Sequence, residues 1–223
     1  MFNVTAAWKT AYPGAAAGIL VMRRAANPEG HPALERRIGE LEAQLRARFR
    51  DRDGLRALPA LQAYGAYFKR FKKTYHVLLQ LESVAVKGKP IPRAGALVEA
   101  MFMAELKNLL LTAGHDLAAV RMPVTLDVAT GAEGYVMYSG QEQTLKPADM
   151  FIADAAGVIS SVIYGPDRRT RIGPETRDVL YTVYAPPGIG TDAVKAHLEF
   201  IRDTVLLVAP AAEVGALDVH GGA

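Results

Sequence analysis

Three short runs in this 223-residue sequence carry side chains able to do chemistry. "AGHDL" sets His115 and Asp116 directly after Gly114. An imidazole beside a carboxylate can move a proton near neutral pH, although a histidine closing a helix is also what the helix dipole favours. "GPDRRTR" gathers Arg168, Arg169 and Arg171 beside Asp167 on a turn. Guanidinium forks there can hold a phosphate or carboxylate; the same run reads equally as surface charge on a hairpin. "VKGKPIPR" places Lys87, Lys89 and Arg93 in a loop punctuated by Gly88, Pro90 and Pro92, suited to contacting a nucleic-acid backbone. That loop ends a longer stretch, Ala66 to Arg93, with seven Lys or Arg against one acid, Glu82.

The elements that must position these runs can be read from periodicity. "GILVM" (18–22) is a short apolar run bounded by turn and charge, a buried strand. Leu34, Ile38, Leu41 and Leu45 repeat at helical spacing behind Pro32, a residue tolerated at a helix start. A second helix is expected from Leu61 to about Leu79. Its stripe of Tyr64, Tyr67, Phe68, Phe71 and Tyr75 is expected in the core, with base stacking as the alternative for Tyr64, Tyr67, Phe68 and Phe71, and Lys69, Lys72 and Lys73 lie mostly on the opposite arc, either solvated or facing phosphates. A third helix is expected from Arg93 to Ala113, stopping at Gly114. Short alternating segments then read as strands: 124–128, 134–138, 151–154, 158–164 and 179–185. A last amphipathic helix begins at a cap on Thr191 or Asp192. The order is α+β, with helices and strands segregated. Residues 1–210 are expected to form one domain and 211–223 a flexible tail.

Composition narrows the chemistry. The chain has no cysteine, which excludes disulfides, thiolate nucleophiles and Cys-type zinc sites and suits a reducing cytoplasm. The five histidines show no ligand spacing, so no metal is expected. There is no P-loop, no dinucleotide fingerprint and no nucleophile elbow, so no cofactor is implied. The arginines at 23 and 24 follow the first apolar run instead of preceding it, unlike a signal peptide. No apolar run approaches the roughly 18–20 residues of a membrane span. A net charge of +3 permits an anionic partner without requiring one.

Two longer runs resemble one family. "YFKRFKK…VKGKPIPRAGALVEAMFMAELKN…AGHDLAAV" and "YSGQEQTLKPADMFIADAAGVISSVIYGPDRRTRIGPETRDVLYTVYAP" look like the B3/B4 domain, the tRNA-editing region of the phenylalanyl-tRNA synthetase β subunit, in free-standing form. The carrying pattern is Gly140, Leu145, Pro147, Asp149, Ile152, Asp154 and Gly157, followed by Glu175, Thr176, Val179 and Leu180. The similarity runs from about Trp8 to Val208. It implies a B3/B4-like fold of mixed β-sheet layers packed with helices, two intertwined subdomains within residues 1–210, and a pocket between the halves. The implied activity is a cytoplasmic aminoacyl-tRNA deacylase acting in trans; nothing resembles a complete synthetase. The implied partner is tRNA, with no DNA and no membrane; the oligomeric state stays open.

The resemblance also proposes site residues. A family helix motif falls on Leu97 to Phe102, keeping an acid at Glu99 but replacing pocket Thr and Asn by Met101 and Phe102. A glycine-rich turn falls on Ser160, Ser161, Val162, Ile163, Tyr164 and Gly165, whose amides would bind a carbonyl oxygen. The glutamate that reads a tyrosine hydroxyl falls on Thr182, and the family histidine on Ala113, two residues before His115. Glu99, His115 and Asp116 are the implied catalytic groups. Met101, Phe102, Ser160, Ser161, Gly165 and Thr182 are the implied pocket, and Lys87, Lys89, Arg93, Arg168 and Arg169 the implied RNA contacts. Without the glutamate, a tyrosyl group loses its hydroxyl partner, so the expected substrate is smaller or more apolar. Two alternatives remain: an RNA-binding module without catalysis, and a binder of amino acids or other small molecules on the same fold.

Overall fold

Residues 2–221 are described by a computed structural model of the chain. Its elements are β1 (Phe2–Val4), α1 (Ala6–Ala11), β2 (Ala16–Arg23), α2 (Pro32–Arg48), α3 (Arg52–Arg56), α4 (Pro59–Arg70), α5 (His76–Leu81) with one π-helical turn behind it (Glu82–Val86), and α6 (Ala96–Asn108). Then follow β3 (Leu111–Asp116), β4 (Val124–Val128), β5 (Gly134–Val136), β6 (Glu142–Thr144), β7 (Met150–Asp154), β8 (Gly157–Ser161), β9 (Gly165–Pro166), β10 (Val179–Ala185), α7 (Thr191–Val208) and β11 (Glu213–Gly221).

The strands form two main sheets. One, in the order β11-β2-β10-β3, is antiparallel throughout. The other, β1-β4-β7-β8-β9, is mixed: β1 pairs with β4 in parallel and the rest are antiparallel. β5 and β6 make a separate hairpin. The fold is therefore α+β, with mixed sheet layers and helices. The central strands β2 and β10 are buried on both faces, which is why "GILVM" and "VLYTVYA" read as apolar runs without alternation. α7 covers one face. Gly18 permits that contact: a Cβ there would lie 2.8 Å from Val194 and 2.9 Å from Leu198. α2 buries Leu34, Ile38, Leu41 and Leu45 as its spacing predicts. The aromatic stripe is core as well, with Tyr64 and Tyr75 stacked at 4.3 Å.

Five expectations change. The helix expected over 61–79 breaks after Arg70. Lys73 N–H bonds to the Phe68 carbonyl (3.1 Å) and Lys72 N–H to that of Lys69 (3.0 Å), with Lys72 left-handed at φ 58°. This is a Schellman stop built without glycine, so no glycine in the sequence announces it. The helix expected over 93–113 spans only 96–108. It ends at left-handed Leu109, and "LTAGHD" becomes strand β3, which places His115 in a sheet and not at a helix end. The segment read as strand 158–164 reverses after Ser161: Ser160 and Ser161 lie in β8, residues 162–164 form the turn, and Gly165, at φ 85°, opens β9. Finally, most of the expected C-terminal tail is strand β11, paired along β2 from Glu213 to Gly221. The cap of α7 falls on Gly190, one residue before Thr191.

Candidate functional site

α6 and β3 follow one another through the reversal at Leu109 and diverge to leave a cleft of about 360 Å³. Val98, Met101, Phe102 and Glu105 sit at i, i+3, i+4 and i+7 on α6, so one face of that helix lines the cleft. Ala113, Gly114 and Ile172 complete the apolar wall. Gly114 lets the walls approach, since a Cβ there would lie 2.7 Å from Ile172 and 3.5 Å from the Met101 sulfur. The polar lining comes from Glu105, Thr112 and Arg171, with His76, Gln80 and Tyr138 around them.

Glu105 dominates the electrostatics. It is 2 % exposed. Its Oε1 accepts the Thr112 N–H at 2.9 Å, the one hydrogen bond the carboxyl makes among the described residues, and the carboxyl borders the cleft. Burial pushes its carboxyl up to about 8, against which the single backbone donor works only in part. Behind it, the Thr112 hydroxyl lies 2.6 Å from His197 Nε2, and Asn108 Nδ2 lies 3.4 Å from Nδ1. Burial lowers His197 to about 3, so that ring is neutral and locked in the core.

Of the residues singled out from sequence, Met101 and Phe102 lie in this cleft together with Arg171. Thr182 does not. Tyr181 reaches α6, its hydroxyl donating to the Leu97 carbonyl (2.8 Å), so the next residue on β10 faces the second sheet. There the Thr182 hydroxyl donates to the Ala113 carbonyl at 3.4 Å, fully buried. Ser160 lies on that same side, bonded to the Tyr184 hydroxyl. Ser161 Oγ accepts the Tyr164 N–H (3.1 Å), Val162 N–H is held by Met150 (3.0 Å), and the Gly165 carbonyl accepts the Tyr135 hydroxyl (2.7 Å). Two of the amides foreseen for a carbonyl oxygen, those of Val162 and Tyr164, are therefore already in use.

The three implied catalytic groups are separated from the cleft. Glu99 is fully buried, bonded to Arg93 Nε (2.8 Å) and to Ala94 N–H (2.9 Å), where it ties the loop to the start of α6. His115 lies inside β3. Its Nδ1 meets the Thr170 hydroxyl at 2.8 Å, that hydroxyl bonds to Asp167, and burial lowers the imidazole to about 3. Asp116 accepts from the Thr176 hydroxyl (2.9 Å) and the Ala118 N–H (3.0 Å).

The implied RNA contacts divide in two. Lys87 pairs with Glu82 at 2.9 Å, Arg93 with Glu99 and Glu35, and Arg169 with Asp154 at 2.9 Å. Lys89 and Arg168 are exposed and form no ion pair among the described residues. Lys89 lines a second cavity of about 430 Å³ that shares Gln80 and Phe102 with the cleft. Among the described residues, no group of three or more acids and histidines is placed to hold a metal ion, and no helix is long and apolar enough to cross a membrane.

An α+β scaffold with one cleft that sets a buried acid into an apolar wall is thus the class defined by fold and site. One similar solved structure is that of an N-terminal fragment of the phenylalanyl-tRNA synthetase β subunit from Pyrococcus horikoshii, at 11% identity and a TM-score of 0.49. The match covers 98% of this chain and 50% of that one, so the chain spans half the length of the structure it matches, and the likeness is a weak one of fold. No family model matches the chain, and no curated protein matches it.

Proposed function

We propose that the protein binds the aminoacylated 3′ end of a tRNA, seats the amino-acid side chain in the α6–β3 cleft, and releases it by ester hydrolysis. The observation that carries this reading is the cleft itself: an apolar wall of acyl-group size with Arg171 lining it, able to meet a backbone phosphate. Water would attack the ester carbonyl, the bond to the ribose oxygen would break, and that oxygen would take the proton. With Glu99, His115 and Asp116 bonded elsewhere, the proton path runs through water and the vicinal ribose hydroxyl, and positioning supplies the rate. The Met101 and Phe102 wall favours small apolar acyl groups over tyrosyl.

A second reading, binding without turnover, is favoured by those same engaged side chains. Single-turnover deacylation on a panel of mischarged tRNAs decides. Cleavage of small apolar aminoacyl-tRNAs faster than Tyr-tRNA supports the first reading. Salt-dependent tRNA binding without cleavage supports the second, and preferential Tyr-tRNA cleavage overturns the substrate assignment.

A further inference from the structure

Glu105 lines the cleft with a carboxyl that takes one backbone hydrogen bond and no ion pair among the described residues. An acid withdrawn this far from water is normally held by several donors or by a cation; here the Thr112 N–H on Oε1 is the one partner among the described residues, and the rest of the carboxyl is left facing the cleft. We infer that Glu105 is the recognition group for a primary ammonium, so that the cleft takes ligands joining an ammonium to a small apolar side chain, as an α-aminoacyl group does. This rests on the reading that the cleft holds the acyl side chain, and it adds which chemical group is read there.

The surroundings lack the charge that such a ligand would bring. On α6, Lys107 turns outward over the Phe200 ring at 4.3 Å. From β3 and α7 come the Thr112 hydroxyl and the neutral His197. Tyr64 and Tyr75, under the same region, are neutral phenols whose hydroxyls donate to the Tyr184 and Leu109 carbonyls. His76 and Arg171 line the same cleft without bonding Glu105. Among the described residues no fixed cation answers the carboxylate, which is why desolvation holds it protonated at neutral pH. A bound ammonium would supply that counter-charge in a low-dielectric wall, where a pair counts for most. Below about pH 8 the ligand arrives charged and Glu105 arrives protonated, so binding must release one proton.

NMR titration of the full chain with leucinamide, N-acetyl-leucinamide and leucine, from pH 6 to 9, tests this. Leucinamide affinity should rise about tenfold per pH unit up to about pH 8, the linkage expected for one released proton. It should then fall as the ligand's own amine, with a pKa of about 8, loses its charge. N-acetyl-leucinamide should bind at least roughly tenfold more weakly, and E105Q should abolish the pH dependence. Equal binding of the acetylated and free amides overturns the inference while leaving the cleft an acyl site, and this comparison needs no variant. Leucine binding as tightly as leucinamide keeps the ammonium assignment but points to a free amino acid instead of an aminoacyl-tRNA. No binding by any of the three overturns both.

Discussion

Glu105 is a carboxyl kept largely protonated by its burial, and this has a thermodynamic consequence independent of any ligand. Its folded pKa of about 8 lies above the ordinary 4.5, so the folded state retains a proton that the unfolded state gives up. Its stabilising effect is complete below pH 4.5 and lost as pH rises through 8, by about 5 kcal/mol in total at 1.36 kcal/mol per unit. Glu105→Gln keeps an oxygen for the Thr112 N–H but has no proton to lose. Thermal melts should therefore show the variant and wild type close together at pH 5, with the variant melting higher at pH 8.5; parallel curves across that range would refute the buried-acid reading. Glu105 was within reach of the sequence, because Val98, Met101, Phe102 and Glu105 already form one helical stripe. What hid it was that the resemblance drew attention to Glu99, one position off that stripe. Thr182 went astray for a related reason. Alignment gives a residue's place along a strand, whereas its face depends on strand parity, and Tyr181 takes the side toward α6.

At the scale of elements, the strongly periodic segments were legible and the terminations were not. α2 and the strands 124–128 and 179–185 match their patterns because each buries a clear face or run. The ends of α4 and α6 rest on left-handed Lys72 and Leu109, residue types that carry no stop signal. β11 was invisible for another reason: "EVGALDVHG" alternates only weakly and becomes a strand because β2 offers it an open edge. That edge defines a prediction. Truncation after Ala212 strips one edge of β2, from Arg23 to Ala16, of its backbone partners and uncovers the apolar side chains packed under Ala216, Leu217 and Val219. The shortened chain should melt at least about 5 °C lower or fail to accumulate in soluble form, given roughly 2–4 °C per kcal/mol for a chain of this size. A frayed tail would leave the melting curve where it was.

Across the whole molecule, the net charge of +3 is too small to bring RNA in by long-range attraction alone, so binding would depend on which cations are free at the site. The basic stretch from Ala66 to Arg93 looks uniform in sequence but is not uniform in space. Arg93 is committed to Glu99 and Lys87 to Glu82, so much of their charge is answered within the fold. Lys69 and Lys72 lie on the exposed side of α4 and the turn behind it, over the aromatic core. Lys89 borders the cavity beside the cleft, and Arg171 lines the cleft itself. If the acyl end of a tRNA enters there, the adjoining phosphates should pass these two side chains. Lys89→Glu and Arg171→Glu should each weaken tRNA binding and reduce the slope of log affinity against log salt by about 0.7–0.9, the loss of one phosphate contact. Lys69→Glu, with the same change in net charge, should leave the slope unaltered. Fluorescence anisotropy between 50 and 200 mM salt, roughly the range over which counterion release is steep, resolves the difference. Equal slopes for all three variants would mean that the cations act only as a diffuse surface field and that tRNA does not dock its end at the cleft.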